Sequence, residues 1–153
     1  MPQALDTYNK LARLPFGKWL FSRGLCLRAP YFATIAPRVE DYRPGRMVCR
    51  IADRRRVHNH IGTVHAIALC NLAELCGALT LDSVMPPHLR WIPQGMTVKY
   101  LRKASGTMTG TAELAPEAVR EGSVVVPIRV TDPQGQVVFE AHIDFYVSPN
   151  KKS

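Results

Sequence analysis

The residues most able to do chemistry fall in one stretch, His58-Asn59-His60-Ile61-Gly62-Thr63-Val64-His65-Ala66, and in the apolar run that leads from it to Glu74. A carboxylate inside an apolar run is costly unless it is paired, hydrated or at work. In a poorly solvated cleft it is also the natural general base for a water molecule. If a helix begins near Ala66, its first N–H groups lack intrahelical partners and carry the positive end of the helix dipole, which suits a developing oxyanion. Plainer readings stand beside these. Glu74 could form an ion pair at a subunit interface, His65 could be a satisfied core histidine, and Asn59 could be a loop or capping residue. His58 and His60 alternate and, with His65, could reach one ion if the stretch were extended. Loop histidines beside a helix start are commoner without metal, so no metal site and no cofactor is expected.

The element that must position these groups is the run itself. From Thr63 to about Thr80 nearly every residue is apolar or small, and beyond the first turn only Asn71 and Glu74 are strongly polar. Such a pattern predicts a helix of ~27 Å, about the diameter of a small domain. Apolar on all faces, it should be a buried core helix, and it is short for a membrane span.

On either side the pattern changes. Residues 4–27 have helical spacing broken by Pro15 and Gly17, which predicts two short helices, the second from about Phe16 to Leu27. The second carries Trp19, Leu20, Phe21, Leu25 and Leu27 among basic residues. It reads as a helix packed on the domain or on a second subunit, with a lid over an acyl pocket or a membrane-surface contact as alternatives. Residues 28–46 hold three prolines and read as irregular, with one short helical turn. Strands are expected over Met47–Arg55, Trp91–Arg102, Gly106–Leu114, Val124–Val130 and Val137–Ser148, with a tight turn at Asp132-Pro133-Gln134-Gly135. Apolar and polar residues alternate in them, as in an antiparallel sheet covered on one face. Pro127 cannot donate to a ladder and should mark a bulge or an edge. The expected organisation is a helical segment over 1–44 packed on a domain over 45–148, then a frayed tail over 149–153. The fold class is α+β, one helix lying across an antiparallel sheet.

Composition narrows the function classes. The chain has 153 residues, 46% hydrophobic and 21% charged, as in a globular domain of ordinary make-up. With no signal-peptide pattern and no metal-type cysteine spacing, Cys26, Cys49, Cys70 and Cys76 read as reduced and mostly buried thiols, and a cytoplasmic protein is expected. A formal charge of +8 favours anionic partners. No nucleic-acid motif accompanies it, so nucleic acid is not expected, and neither is a transmembrane segment. The denser basic groups, Arg54-Arg55-Arg56 and Arg102-Lys103, suit either a solvated face or a phosphate-bearing ligand.

The order of elements, with Asn59, His65 six residues on and Glu74 nine further, and with Gly62 and Ala66 between, resembles the hot-dog-fold thioesterases. The likeness is to the phenylacetate-pathway type and its relatives, over about residues 45–148, and includes Tyr100-Leu101-Arg102-Lys103-Ala104-Ser105-Gly106. It implies a hot-dog fold, an antiparallel sheet wrapped around one long central helix, with the amino-terminal helices as an addition. It also implies hydrolysis of an acyl thioester, usually of coenzyme A, at a site between two subunits of a homodimer or dimer of dimers. The Ala66 N–H would polarise the thioester carbonyl, Glu74 of the partner subunit would activate water or attack directly, and Asn59 would help position carbonyl or water. His65 belongs to the same motif; Gly62, Arg102 and Lys103 would contact substrate. Two positions depart from that pattern: Ala66 stands where glycine is usual, and Pro93 where some relatives carry a hydroxyl residue that holds the water. A non-catalytic acyl-thioester binding or sensing protein is therefore the second expectation.

Overall fold

Pro15 and Gly17 divide the amino-terminal region into α1 (Gln3–Leu11) and α2 (Gly17–Arg28) in the computed structural model, which describes residues 3–150. Tyr8 of α1, Phe21 of α2 and Tyr42 stack edge-on or tilted, with ring centroids 5.1–6.0 Å apart, and fasten the two helices to the rest of the fold. The expected helical turn is the 3-10 segment Pro30–Thr34. Beyond that turn the chain is not irregular, however: Arg38–Arg43 is a strand, β1. Pro37 and Pro44 bracket it, and only Val39 and Tyr42 are buried among its charged neighbours. A short, charged strand with a register shift between Val39 and Asp41 is how natural sheets blunt an edge, and it leaves little alternation to read.

The remaining strands are β2 (Arg46–Ile51), β3 (Leu89–Tyr100), β4 (Met108–Glu113), β5 (Gly122–Thr131) and β6 (Val137–Pro149). All pair antiparallel in one six-stranded sheet of order β1-β2-β4-β5-β6-β3. In β4 the alternation holds residue by residue, with Met108, Gly110 and Ala112 inward. Pro127 pairs with His142 of β6, but pairing of β5 with β4 begins only at Ile128. Proline therefore sits where its strand is locally an edge, without a bulge. Pro149 is not frayed: it pairs with Leu89, and Asn150 donates to the carbonyls of Pro87 and His88. The expectation for 151–153 lies outside the described residues.

The apolar run forms α3 (Ala66–Ser83), reaching beyond Thr80 and so carrying a second carboxylate, Asp82. Burial raises the Asp82 pKa, partly offset by Trp91 and Arg28. Leu72, Ala73, Leu75, Cys76 and Leu81 are buried against a sheet face built from Ile128, Phe139, Ile143 and Phe145. A Cβ on Gly110 would lie 3.0 Å from both Cys76 Sγ and Leu72 Cγ, so glycine in β4 sets how closely the helix approaches. By length and composition α3 could cross a membrane, but it is the core helix here, with 61% of that window buried in the fold. It is not buried all round. Ile67, Cys70, Glu74 and Ala78, spaced three and four apart, form one stripe that remains exposed or half-buried. Cys49 and Cys76 are buried, Cys26 and Cys70 half-buried, and no described cysteine is in a disulfide. Burial pushes the Cys76 thiol up to about 12.

Candidate active site

The loop before α3 is built by its own polar groups. Asn59 Oδ1 accepts from the Ile61 and Thr63 N–H groups (both 3.1 Å), and Asn59 Nδ2 donates to Thr63 Oγ1 at 2.8 Å. Gly62 takes φ +76°, a left-handed conformation that glycine adopts without strain, and its N–H donates to the Asn59 carbonyl. His58 and Val64 form an isolated bridge that closes the loop. Asn59 thus shapes the turn, and its carboxamide is engaged within it.

His65 is the N-cap of α3. Its Nδ1 accepts from the Ile67 N–H at 3.0 Å, which leaves the ring proton on Nε2, and the side chain lies at the surface rather than in the core. Ala66 is the first helical residue, and its N–H has no partner among the described residues. The arrangement therefore presents a free donor at the positive end of the helix dipole.

Glu74 is half-buried on the open stripe of α3 and makes no hydrogen bond or ion pair among the described residues. It lies eight positions beyond Ala66, a rise of ~12 Å along the axis. One protomer therefore does not bring Glu74 to the Ala66 N–H.

Two basic groups distant in sequence meet at this end of the helix. Ala104 O accepts from Val64 N–H (2.8 Å), and the Gly106 N–H donates to Asp53 Oδ2 (2.6 Å). These bonds hold the loop bearing Arg102 and Lys103 against the segment bearing Arg54, Arg55 and Arg56. All five cations are exposed. Asp53 also pairs with His58 Nε2, and that bond lowers its pKa, with burial opposing and the Gly106 N–H assisting. Among the described residues no three metal-ligating side chains come together.

A cavity of about 170 Å³ opens beside the helix start, lined in part by Tyr31, Thr34, Arg56, His58, His65 and Asn71. Asn71 Nδ2 donates to Thr34 Oγ1 at 3.1 Å, while its Oδ1 is buried without a partner. The sequence marks Asn71 as an anomaly of the apolar run, but its partner lies in the amino-terminal segment, where nothing in the pattern points to it. The Asp53–His58–Gly106 brace was equally invisible, since it joins two connections far apart in the chain. Pro93 is exposed on β3, next to a register shift.

A six-stranded antiparallel sheet wrapped around one long helix is the hot-dog fold, and many solved structures share it. One, from a structural-genomics programme, is 40% identical, covers 96% of this chain and 99% of its own, and superposes with a TM-score of 0.86. A Pseudomonas aeruginosa protein of unknown function, described as a probable thioesterase, is 27% identical over 90% of this chain and 97% of its own, with a TM-score of 0.76. A Haemophilus influenzae thioesterase, 14% identical over 84% of this chain and 89% of its own at a TM-score of 0.73, shares the fold. A search of curated proteins finds no match. The family model for DUF4442, a domain of unknown function, matches residues 17–147, and the chain belongs to that family.

Proposed function

We propose that the chain is an acyl-CoA thioesterase whose site is completed across a two-fold axis. The observation that carries this reading is the unpartnered Ala66 N–H at one end of α3 and the unpaired Glu74 on the open stripe of the same helix, ~12 Å away. Antiparallel pairing of two such helices brings Glu74 of the partner subunit towards Ala66, and it does so twice, as an isologous contact requires. β3 is the uncovered edge of the sheet opposite β1, with Ile92 and Tyr100 more than half exposed, and it offers the strand for that pairing.

In this site the thioester carbonyl accepts from the Ala66 N–H. Glu74 takes a proton from water, and the oxygen of that water adds to the carbonyl carbon. Negative charge gathers on the carbonyl oxygen, opposite the helix end. Collapse breaks the C–S bond and releases a carboxylic acid and coenzyme A thiolate, which takes up the proton. Asn59 and His65 act as positioning residues, since their polar atoms shape the turn and cap the helix. Gly62 keeps the turn open beside the substrate. Arg54, Arg55, Arg56, Arg102 and Lys103 receive the coenzyme A phosphates, so affinity falls as salt screens them over a Debye length of ~10 Å at 0.1 M.

Glu74→Gln is the test. It keeps size and hydrogen bonding but removes the base, so kcat for acyl-CoA hydrolysis should fall ~10²–10⁴-fold with acyl-CoA binding and the dimer intact. Near wild-type turnover from an intact Glu74→Gln dimer ends the catalytic assignment. Acyl-CoA binding without hydrolysis in the unaltered protein selects the non-catalytic binding protein instead. A monomer by sedimentation at micromolar concentration removes the composite site.

A further inference from the structure

Helix α2 is apolar on two faces, and the fold uses one of them. Phe21 and Ser22 are buried, and Leu25 is half-buried. The opposite face runs Phe16, Leu20, Arg23 and Leu27 at steps of four, three and four, with Trp19 beside it, all exposed. Phe16 and Leu27, at the two ends, are each 83% exposed. Leu14 borders the same surface, so residues 14–27 hold five of the thirteen large exposed hydrophobics among the described residues. An exposed apolar stripe of this kind marks a contact surface.

Within the helical segment the charge is one-sided, and β1, on which α2 packs, adds two acids, Glu40 and Asp41, balanced by Arg38 and Arg43. Residues 3–28 carry Lys10, Arg13, Lys18, Arg23 and Arg28 against the single acid Asp6. At the bend between α1 and α2 an open groove of about 420 Å³ is bordered by Leu14, Phe16 and Trp19 together with Lys18 and Arg38. The Arg23 guanidinium lies over the Trp19 ring, 5.9 Å from its centroid.

The conformation adds an independent sign. Phe16 precedes α2 with φ 61°, in the left-handed region that disfavours a bulky residue, and offers no side-chain cap. The bend is tight beside it: a Cβ on Gly17 would fall 1.7 Å from the Leu11 carbonyl oxygen, so only glycine fits next to Phe16. A strained backbone is thus used to hold an aromatic ring out in solvent.

We propose that the exposed face of α2 is a docking surface for an anionic lipid bilayer. Projecting apolar side chains need no complementary pocket in the interfacial region, where Trp and Tyr rings settle between headgroups and acyl chains. Flanking Lys and Arg side chains add attraction to anionic headgroups. A second copy of the chain is a poor occupant, because a two-fold contact sets the same excess of positive charge against itself. α2 packs on β1, the sheet edge opposite β3, so a β3-paired dimer leaves the stripe free. The proposal does not depend on thioester hydrolysis.

The experiment is sedimentation of the full chain with vesicles of phosphatidylcholine alone or of equal parts phosphatidylcholine and phosphatidylglycerol. Binding to the anionic vesicles is expected, with a blue shift of tryptophan emission that is lost when Trp19 is replaced. The variant Phe16→Gly/Trp19→Ser/Leu27→Ser, all at exposed positions, should lose at least about tenfold in bound fraction while circular dichroism and sedimentation mass stay unchanged. The single variant Phe16→Gly relieves backbone strain, so a loss of binding there with circular dichroism and melting temperature maintained is a loss of the ring itself. Equal binding by the triple variant would reduce the contact to the general attraction of a basic protein and overturn the proposal. Absence of vesicle binding would overturn it too. So would a change of oligomeric mass in the triple variant, which would give the stripe to a second copy, or exclusive binding to an acidic protein.

Discussion

Helices α2 and α3 are both rich in apolar residues, yet the fold treats them in opposite ways. Of the 18 residues of α3, 11 are buried; of the 12 of α2, only Gly17, Phe21 and Ser22 are. The helix starts differ as well. α3 begins under a side-chain cap from His65, with its loop tied by Asn59 and Asp53. α2 begins at a left-handed Phe16 with no side-chain cap. Apolar composition alone does not report burial. In α3 one sheet can use nearly every face, and the leftover stripe is where Glu74 stands. In α2 a second apolar face is left over, and stability of the folded chain gives no reason for it.

This contrast is broken most directly by leucine truncation. Leu72 is fully buried against the sheet, so Leu72→Ala should cost about 2–5 kcal/mol, from lost transfer energy and the cavity left behind. Leu27→Ser, at an exposed position of α2, should change stability by no more than about 0.5 kcal/mol. Urea unfolding of the two variants checks both. A large loss from Leu27→Ser would mean that α2 packs outward after all, on another chain.

Much of this was legible in the sequence, for reasons tied to particular residues. α3 announced itself because a long apolar run interrupted only by Asn71 and Glu74 has few other solutions. β4, β5 and β6 were readable because each has one wet face, which preserves a period of two. β1 was not, because an edge strand of four charged residues between two prolines buries only Val39 and Tyr42. At the site, spacing along the chain located the loop and the helix, but it could not show that Asn59 is engaged in its own turn. Nor could it show that Thr34 reaches Asn71, since contacts between distant segments leave no periodic trace.

A smaller effect sharpens the contrast at the helix starts. Phe16→Gly removes a left-handed non-glycine residue, and it should stabilise the protein by about 1 kcal/mol, the usual size of such strain less the entropy that glycine adds to the unfolded chain. Thermal unfolding at neutral pH reads this as a rise in Tm of a few degrees. A fall would show that the exposed ring contributes packing to the bend.

The last prediction concerns the brace at the start of α3, whose contribution is present at neutral pH and lost in acid. Asp53 binds the His58 ring and the Gly106 N–H, and its pKa is lowered, chiefly by the His58 bond. A carboxylate whose folded pKa lies below its unfolded value of ~3.9 adds stability that is fully present above that value. The contribution disappears as pH falls through the folded pKa. Asp53→Asn keeps an acceptor for Gly106 but has no charge to lose. At pH 7 the variant should therefore melt below the unaltered protein, and the gap should shrink below about pH 4 as Asp53 itself becomes neutral. Melting curves of both proteins at several pH values between neutrality and pH 3 test this. A gap that stays constant across the series would mean that Asp53 braces the helix start by shape and hydrogen bonding alone, so that the start of α3 owes nothing to charge.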